Sequence, residues 1–304
     1  MSWQSALLNP VLQLVEKRQF ARAKDPIALR RSFERKAKIL FHPPRGVEFD
    51  WIDLGGSKTL RIEGDGLSPE RVIMYVHGGA HVFGSPNTHS ALMAQLAVRA
   101  GCEVVLPTYP LAPEQVFPSS IDALRASYDA LLERGWNGAQ IMLGGDSAGG
   151  NLVLGLLAQL LKDKADMPAG VFCFSPLTDM TCSGASFAVN ARVEAVLPAQ
   201  RAAEMADIYL DGHDPKDPLA SPLWADFSGA PPIWLTVGDT EILLDDTRRI
   251  YSAMKKQGVD VQMHIERDLP HVWPLFHSIL PEARSTLDGL AVWINRRVGW
   301  ANES

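Results

Sequence analysis

The segment Gly145-Asp146-Ser147-Ala148-Gly149 fits the pattern G-x-S-x-G. Apolar Ile141-Met142-Leu143 precedes it, and a strong helix former, Asn151-Leu-Val-Leu-Gly-Leu-Leu-Ala, follows. Strand, tight turn and helix are what a nucleophile elbow requires, because the glycines let backbone crowd together while the serine hydroxyl stands clear of the sheet. The helix beneath would offer unpaired N–H groups and the positive end of its dipole. A strand-to-helix turn that merely contains a serine is the structural alternative.

A second segment, His77-Gly78-Gly79-Ala80-His81, follows the apolar run Arg71–Val76. Acyl transfer builds negative charge on a carbonyl oxygen, and N–H groups already aimed at that position stabilise it. Small residues let the backbone approach without an intervening side chain. Gly78 and Gly79, with Ala148 just after the serine, are the expected donors. His77 is expected to brace the glycine loop.

A serine hydroxyl needs a base. Of eight histidines, His77 and His81 flank the glycine loop, His264 sits in a strand pattern, and His42, His89 and His213 have no evident tie to a strand end. His271 lies in a loop after the final strand pattern, where the order serine, acid, histidine puts the base. Its rival His277 falls in a helix-like stretch and reads as a surface or helix-packing residue. For the acid, the stretch after strand Ile233–Val237 offers Asp239, Glu241, Asp245 and Asp246. Asp and Glu can both orient an imidazole, so residue type does not decide among them, although Asp245 and Asp246 also suit a helix N-cap.

The elements that must position these groups alternate. Strands are expected at Phe49–Leu54, Leu60–Glu63, Arg71–Val76, Glu103–Thr108, Gln140–Leu143, Gly170–Phe174, Ile233–Val237 and Val261–Glu266. Helices are expected at Ser90–Ala100, Ile121–Arg134, Ala148–Lys164, Asp246–Gln257 and Pro281–Arg297. The later strands are near-continuous apolar runs, as in a parallel sheet buried on both faces, and the alternation implies βαβ crossovers. The first 45 or so residues read as helical. Thr181 to Asp217 breaks the alternation, with helix over Pro198–Leu210, and is expected to form a lid with the N-terminal helices.

Composition excludes several other classes. Hydrophobic residues are 46% and charged residues 21%, ordinary for a globular chain. A net charge of −6 without a basic stripe argues against nucleic-acid binding. Cys102, Cys173 and Cys182 form neither a disulfide framework nor a metal motif, which favours a reducing compartment. Met1 to Ala23 lacks a signal-peptide pattern, and the longest apolar stretch, Leu152–Leu161, is too short to span a bilayer. A cytoplasmic location is expected, and the chemistry needs no metal or organic cofactor.

The chain resembles the hormone-sensitive-lipase-like esterases, the bacterial family IV carboxylesterases, over essentially its whole length. The resemblance rests on His77-Gly-Gly-Ala, Tyr109-Pro-Leu-Ala-Pro-Glu114, Phe117-Pro118, Gly145-Asp-Ser-Ala-Gly-Gly-Asn151, Ser175-Pro-Leu-Thr-Asp179 and Asp217-Pro-Leu-Ala-Ser-Pro222, in the family's order. It implies an α/β-hydrolase fold with a central, mostly parallel eight-stranded sheet. The catalytic body would be 46–180 and 218–304, and the helical cap 1–45 and 181–217. Glu241-Ile-Leu-Leu-Asp245 has the spacing of the family's Asp-Pro-Leu-x-Asp, which places the acid on Glu241 and leaves Asp239 as a loop residue. Two departures stand out. Ala80 replaces a third glycine, with its N–H still available, and Pro110 replaces an arginine.

The expected reaction is hydrolysis of short- to medium-chain acyl esters through an acyl-enzyme, with Ser147, His271 and Glu241 catalytic. Val82, Phe83, Leu197 and Tyr209 are candidate pocket residues. An amidase, formamidase or acyltransferase would use the same groups, and a non-catalytic small-molecule receptor could share the fold. The resemblance also suggests a homodimer paired through edge strand Val261–Glu266.

Overall fold

Short Val/Ile/Leu runs can bury both faces only inside a layered structure, and these runs assemble into one sheet. The computed structural model describes residues 2–23 and 25–297. Its strands are β1 (Glu48–Leu54), β2 (Ser57–Glu63), β3 (Ser68–Val76), β4 (Cys102–Pro107), β5 (Ile141–Asp146), β6 (Gly170–Phe174), β7 (Ile233–Gly238) and β8 (Val261–Glu266). Their order across the sheet is β1-β2-β4-β3-β5-β6-β7-β8. The pairs β1/β2 and β2/β4 are antiparallel, and every pairing from β4 to β8 is parallel. β2 begins at Ser57 rather than Leu60, because Ser57 pairs with Leu54 across a two-residue hairpin turn.

Side chains of one strand alternate between two cores. Val72, Met74 and Val76 of β3 enter one, with Leu124, Leu156 and Ile250 from α5 (Ser119–Glu133), α6 (Ala148–Asp163) and α9 (Leu244–Lys256). Ile73 and Tyr75 enter the other, with Leu92, Leu96 and Leu290 from α4 (Pro86–Ala100) and α10 (Pro281–Arg297). α4 starts four residues earlier than its apolar pattern, since Ser85 and Thr88 form a capping box and Pro86 occupies the first turn.

The N-terminal stretch is helical, as α1 (Trp3–Leu12), a π-helical turn (Gln13–Lys17), α2 (Arg18–Arg22) and α3 (Pro26–Leu40). Arg30 of α3 fastens this layer to the body. It donates to the carbonyl oxygens of Val82 (2.7 Å) and Ala112 (2.9 Å) and pairs with Glu114 at 2.7 Å. Thr181 to Asp217 contains no strand; it carries α7 (Ala185–Val189) and α8 (Ala199–Leu210). Lys17 joins the two excursions, donating to the carbonyl oxygens of Ala191 and Glu194 at 2.8 Å each. No described helix is long and apolar enough to cross a membrane.

Candidate active site

Ser147 sits between β5 and α6 with φ 53° and ψ −120°, a conformation that L residues adopt only when their surroundings enforce it. Three hydrogen bonds enforce it. Its N–H donates to Phe174 O at 2.9 Å, and its carbonyl oxygen accepts from Leu177 N and Asn151 N at 3.1 Å each. The hydroxyl is thereby held toward the loop after β8, where His271 Nε2 lies 2.9 Å from Ser147 Oγ.

The other ring nitrogen, His271 Nδ1, lies 2.6 Å from Glu241 Oε2. Glu241 Oε1 accepts from Gly238 N (2.6 Å) and Ser175 Oγ (2.7 Å), so both carboxylate oxygens are engaged. Asp239, the other carboxylate near the strand end, faces elsewhere. Its Oδ1 accepts from Asp268 N at 2.8 Å and so ties the loop after β7 to the turn that leads to His271. Asp245 caps α7 by accepting from Ser186 N, and Asp246 accepts from Thr178 N and Asp179 N. Among the four carboxylates after β7, Glu241 is the one that reaches the imidazole.

Burial alone lowers the His271 pKa. The charge and hydrogen bond of Glu241, with the more distant Glu194 and Asp146 carboxylates, outweigh it and hold the imidazole above its ordinary value. His277 is neither exposed nor helical. It is buried, follows the short turn Trp273–Phe276 and packs against Phe41, and burial pushes its pKa down to about 4.

The glycine loop differs from expectation by one donor. Gly78 N–H donates to Asp146 Oδ1 at 2.9 Å and is not available to a substrate. A Cβ on Gly78 would lie 2.2 Å from Asp146 Oδ2, so this approach also requires glycine. The N–H groups of Gly79, Ala80 and Ala148 have no acceptor among the described residues. Gly79 adopts φ 124°, and a Cβ there would meet Phe83 O at 2.0 Å. Ala80 takes the left-handed φ of 51° despite its methyl group. His77 braces the loop: its Nδ1 lies 2.8 Å from Gly78 O and its ring stacks on Tyr109 at 4.4 Å. Burial lowers its pKa to about 3, so the brace is neutral.

Several groups here escaped the sequence reading. Asp146, buried beneath the loop, accepts from Tyr75 Oη (2.8 Å) as well as Gly78 N, and His89 Nε2 lies 3.3 Å away. Burial alone would raise the Asp146 pKa; His89 and the hydrogen bonds reverse the direction. Glu194, between α7 and α8, accepts from Val196 N (2.8 Å) and Ile242 N (3.0 Å), linking its segment to the loop that carries Glu241. Asn190 adds a bond to Glu241 O at 2.8 Å. Asp146 stands inside the G-x-S-x-G pattern and Ser175 inside a family motif, but neither pattern tells of these contacts. His89, Asn190 and Glu194 carry no local signal.

A cavity of about 160 Å³ opens over Ser147 and His271. Its walls are mainly apolar, including Leu12, Phe20, Phe33, Phe41, Phe83 and Leu197. Phe83 and Leu197 are therefore where the sequence suggested. Val82 and Tyr209 are not: both are buried in the core, and Tyr209 stacks on His81 at 3.8 Å. The lining also has polar members, with Lys36 of α3 bonded to Glu16 (2.7 Å) and Gln19 (2.5 Å).

Comparison with known proteins gives this geometry a family. Residues 73–275 match the family model described as alpha/beta hydrolase fold. An acetyl-hydrolase of Streptomyces hygroscopicus is 36% identical over 229 residues, covering 75% of this chain and 77% of that protein. An esterase of Acinetobacter venetianus is 35% identical over 267 residues, 88% of each. The crystal structure of an esterase from the bacterial hormone-sensitive lipase family superposes with a TM-score of 0.92 at 34% identity, covering 98% of this chain and 99% of that one. The chain therefore belongs to the α/β-hydrolase fold family, among the hormone-sensitive-lipase-like esterases, and is a serine carboxylesterase.

Proposed function

We propose that the chain hydrolyses short- to medium-chain acyl esters through an acyl-enzyme on Ser147. The observation that carries this reading is the unbroken line Ser147 Oγ, His271, Glu241, with contacts of 2.9 and 2.6 Å, beside three N–H groups that have no acceptor among the described residues. His271 Nε2 takes the proton as Oγ attacks the ester carbonyl. Gly79, Ala80 and Ala148 receive the developing oxyanion, and His271 returns the proton to the leaving alcohol. Water repeats the sequence on the acyl-enzyme. Glu241 fixes the proton on Nδ1 and stabilises the imidazolium. Segments 1–45 and 181–217 act as the cap of a body formed by 46–180 and 218–304.

The small, aromatic-walled cavity supports a short acyl group, and the lysine in its wall, Lys36, is already paired with Glu16. Turnover of aryl esters from acetate to palmitate, with Ser147→Ala as control, tests the reading. Activity should peak at the short end and fall about 10⁶-fold in the variant, the scale found in other Ser–His–acid enzymes. A flat chain-length profile would refute the acyl preference, and a loss of only a few-fold would refute the role of Ser147. Faster turnover of an amide than of the ester with the same acyl group would favour an amidase.

A further inference from the structure

The charge of this chain is unevenly distributed. Residues 1–45 carry ten Lys/Arg against three Asp/Glu, within a protein of net charge −6, so the rest of the chain is strongly acidic. Of the three acidic groups, Glu16 offsets Lys36, and Asp25 is exposed and borders the same groove as Arg18 and Arg22, which leaves the layer with a net positive surface. Glu16 is bonded to Lys36 at 2.7 Å, Glu34 is bonded to the Ser85 hydroxyl, and Asp25 caps α3 by accepting from Ile27 N. Arg18, Arg22, Arg31 and Lys38 are exposed, and none pairs with a carboxylate among the described residues.

The same layer exposes apolar side chains in a row. Trp3 (71% exposed), Leu7 (62%), Val11 (55%) and Leu14 (55%) recur at intervals of three and four residues, so they share one helical face. Arg18 and Arg22 continue that spacing. Leu14, Arg18 and Arg22 also border one open groove with Leu29 at the start of α3. The opposite side of these helices is already used, since Leu12 and Phe20 are buried and line the cavity over Ser147.

We propose that this face adsorbs to the surface of an anionic phospholipid bilayer. An apolar stripe flanked by unpaired arginines, on a helix lying across the surface, is the arrangement that inserts side chains at the headgroup level while guanidinium groups meet phosphates. The acidic body is repelled from such a surface, which orients the molecule cap-first. The wall of the substrate cavity then rests where apolar esters partition. A soluble acidic partner would satisfy the arginines but leave the four apolar side chains in water.

The test uses Ser147→Ala protein, so that vesicle lipid is not consumed, and reads binding rather than turnover; failure of the esterase reading leaves it unaffected. Flotation is measured with phosphatidylcholine vesicles and with vesicles containing about 30% phosphatidylglycerol. The proposal expects about tenfold more protein on the anionic vesicles and loss of that excess in about 0.5 M NaCl. R18E/R22E and L7S/V11S/L14S should each reduce flotation about tenfold. Their Ser147-containing counterparts should keep wild-type turnover of a soluble aryl ester, which confirms folding. No flotation, or flotation indifferent to salt, overturns the proposal even if the variants do not fold. Dimerisation lost in L7S/V11S/L14S, without vesicle binding, would instead assign the face to a second copy of the chain and also overturn it.

Discussion

Replacing Glu241 by Gln changes one atom type, yet the geometry predicts a large loss. Glu241 Oε1 takes two donors, Gly238 N–H at 2.6 Å and Ser175 O–H at 2.7 Å. An amide NH₂ in that position would face the buried Gly238 donor, and an unsatisfied buried donor costs about 1–3 kcal/mol. The amide oxygen therefore stays there and the NH₂ turns to His271 Nδ1. That nitrogen must then accept, which moves the imidazole proton to Nε2, facing Ser147 Oγ. The base is lost, and so is the negative charge that stabilises the imidazolium. The equivalent Asp-to-Asn exchange in the serine-protease triad costs about 10⁴ in kcat. The same loss is expected here, equivalent to about 5 kcal/mol of transition-state stabilisation. Asp239→Asn serves as control. Its oxygen can still accept from Asp268 N, so kcat should stay within about tenfold of wild type. Initial rates on a short-chain aryl ester, with circular dichroism to verify folding, measure both. A Glu241→Gln enzyme within tenfold of wild type, or a more damaging Asp239→Asn, would refute the assignment.

Three further outcomes follow from the same structure. His271 must be neutral to accept a proton and its pKa is raised, so kcat/KM should climb with pH through a midpoint above 6.5, shifting down in Glu241→Gln; a wild-type midpoint below 6.5 would contradict this. Burial raises the Asp246 pKa from 3.8 to about 7, so its contribution to stability is full below 3.8 and lost as pH rises through 7. Asp246→Asn keeps an acceptor for Thr178 N and should gain in Tm over wild type more at about pH 8 than at about pH 5; a pH-independent difference would refute it. Finally, β8 ends the sheet with an edge that no other strand pairs among the described residues, and we propose that two copies pair there. Light scattering should give a dimer mass that falls to the monomer when a proline replaces a β8 residue whose N–H faces outward; a wild-type monomer would end that proposal.

The sequence was most informative where local pattern and burial coincide. Gly170–Phe174 and Val261–Glu266 are bounded as expected, because each continuous apolar or alternating run ends at turn residues. The apolar pattern of α4 starts only at Ser90, whereas Ser85 caps Pro86, Asn87 and Thr88 into a first turn. Ser147 and His271 are legible from their chain order and flanking strands. Glu241 needed the family spacing, since four carboxylates share one loop and only the folded chain shows which one faces the imidazole. The residue type of Gly78 suits a donor loop, but its N–H is taken by Asp146, a contact 68 residues away in sequence. Glu194 and Asn190 show no periodicity or motif. They matter through hydrogen bonds to Ile242 and Glu241 that depend on how the excursion folds back over the sheet.

The central claim is that Ser147 becomes acylated, and rapid acid quench during turnover of an aryl acetate tests it most directly. Intact mass spectrometry should show one acetyl group per chain within the first turnover, and peptide mapping should place it on Ser147. An acetyl group on another residue, or turnover with no covalent species at any quench time down to the first turnover, would contradict the account.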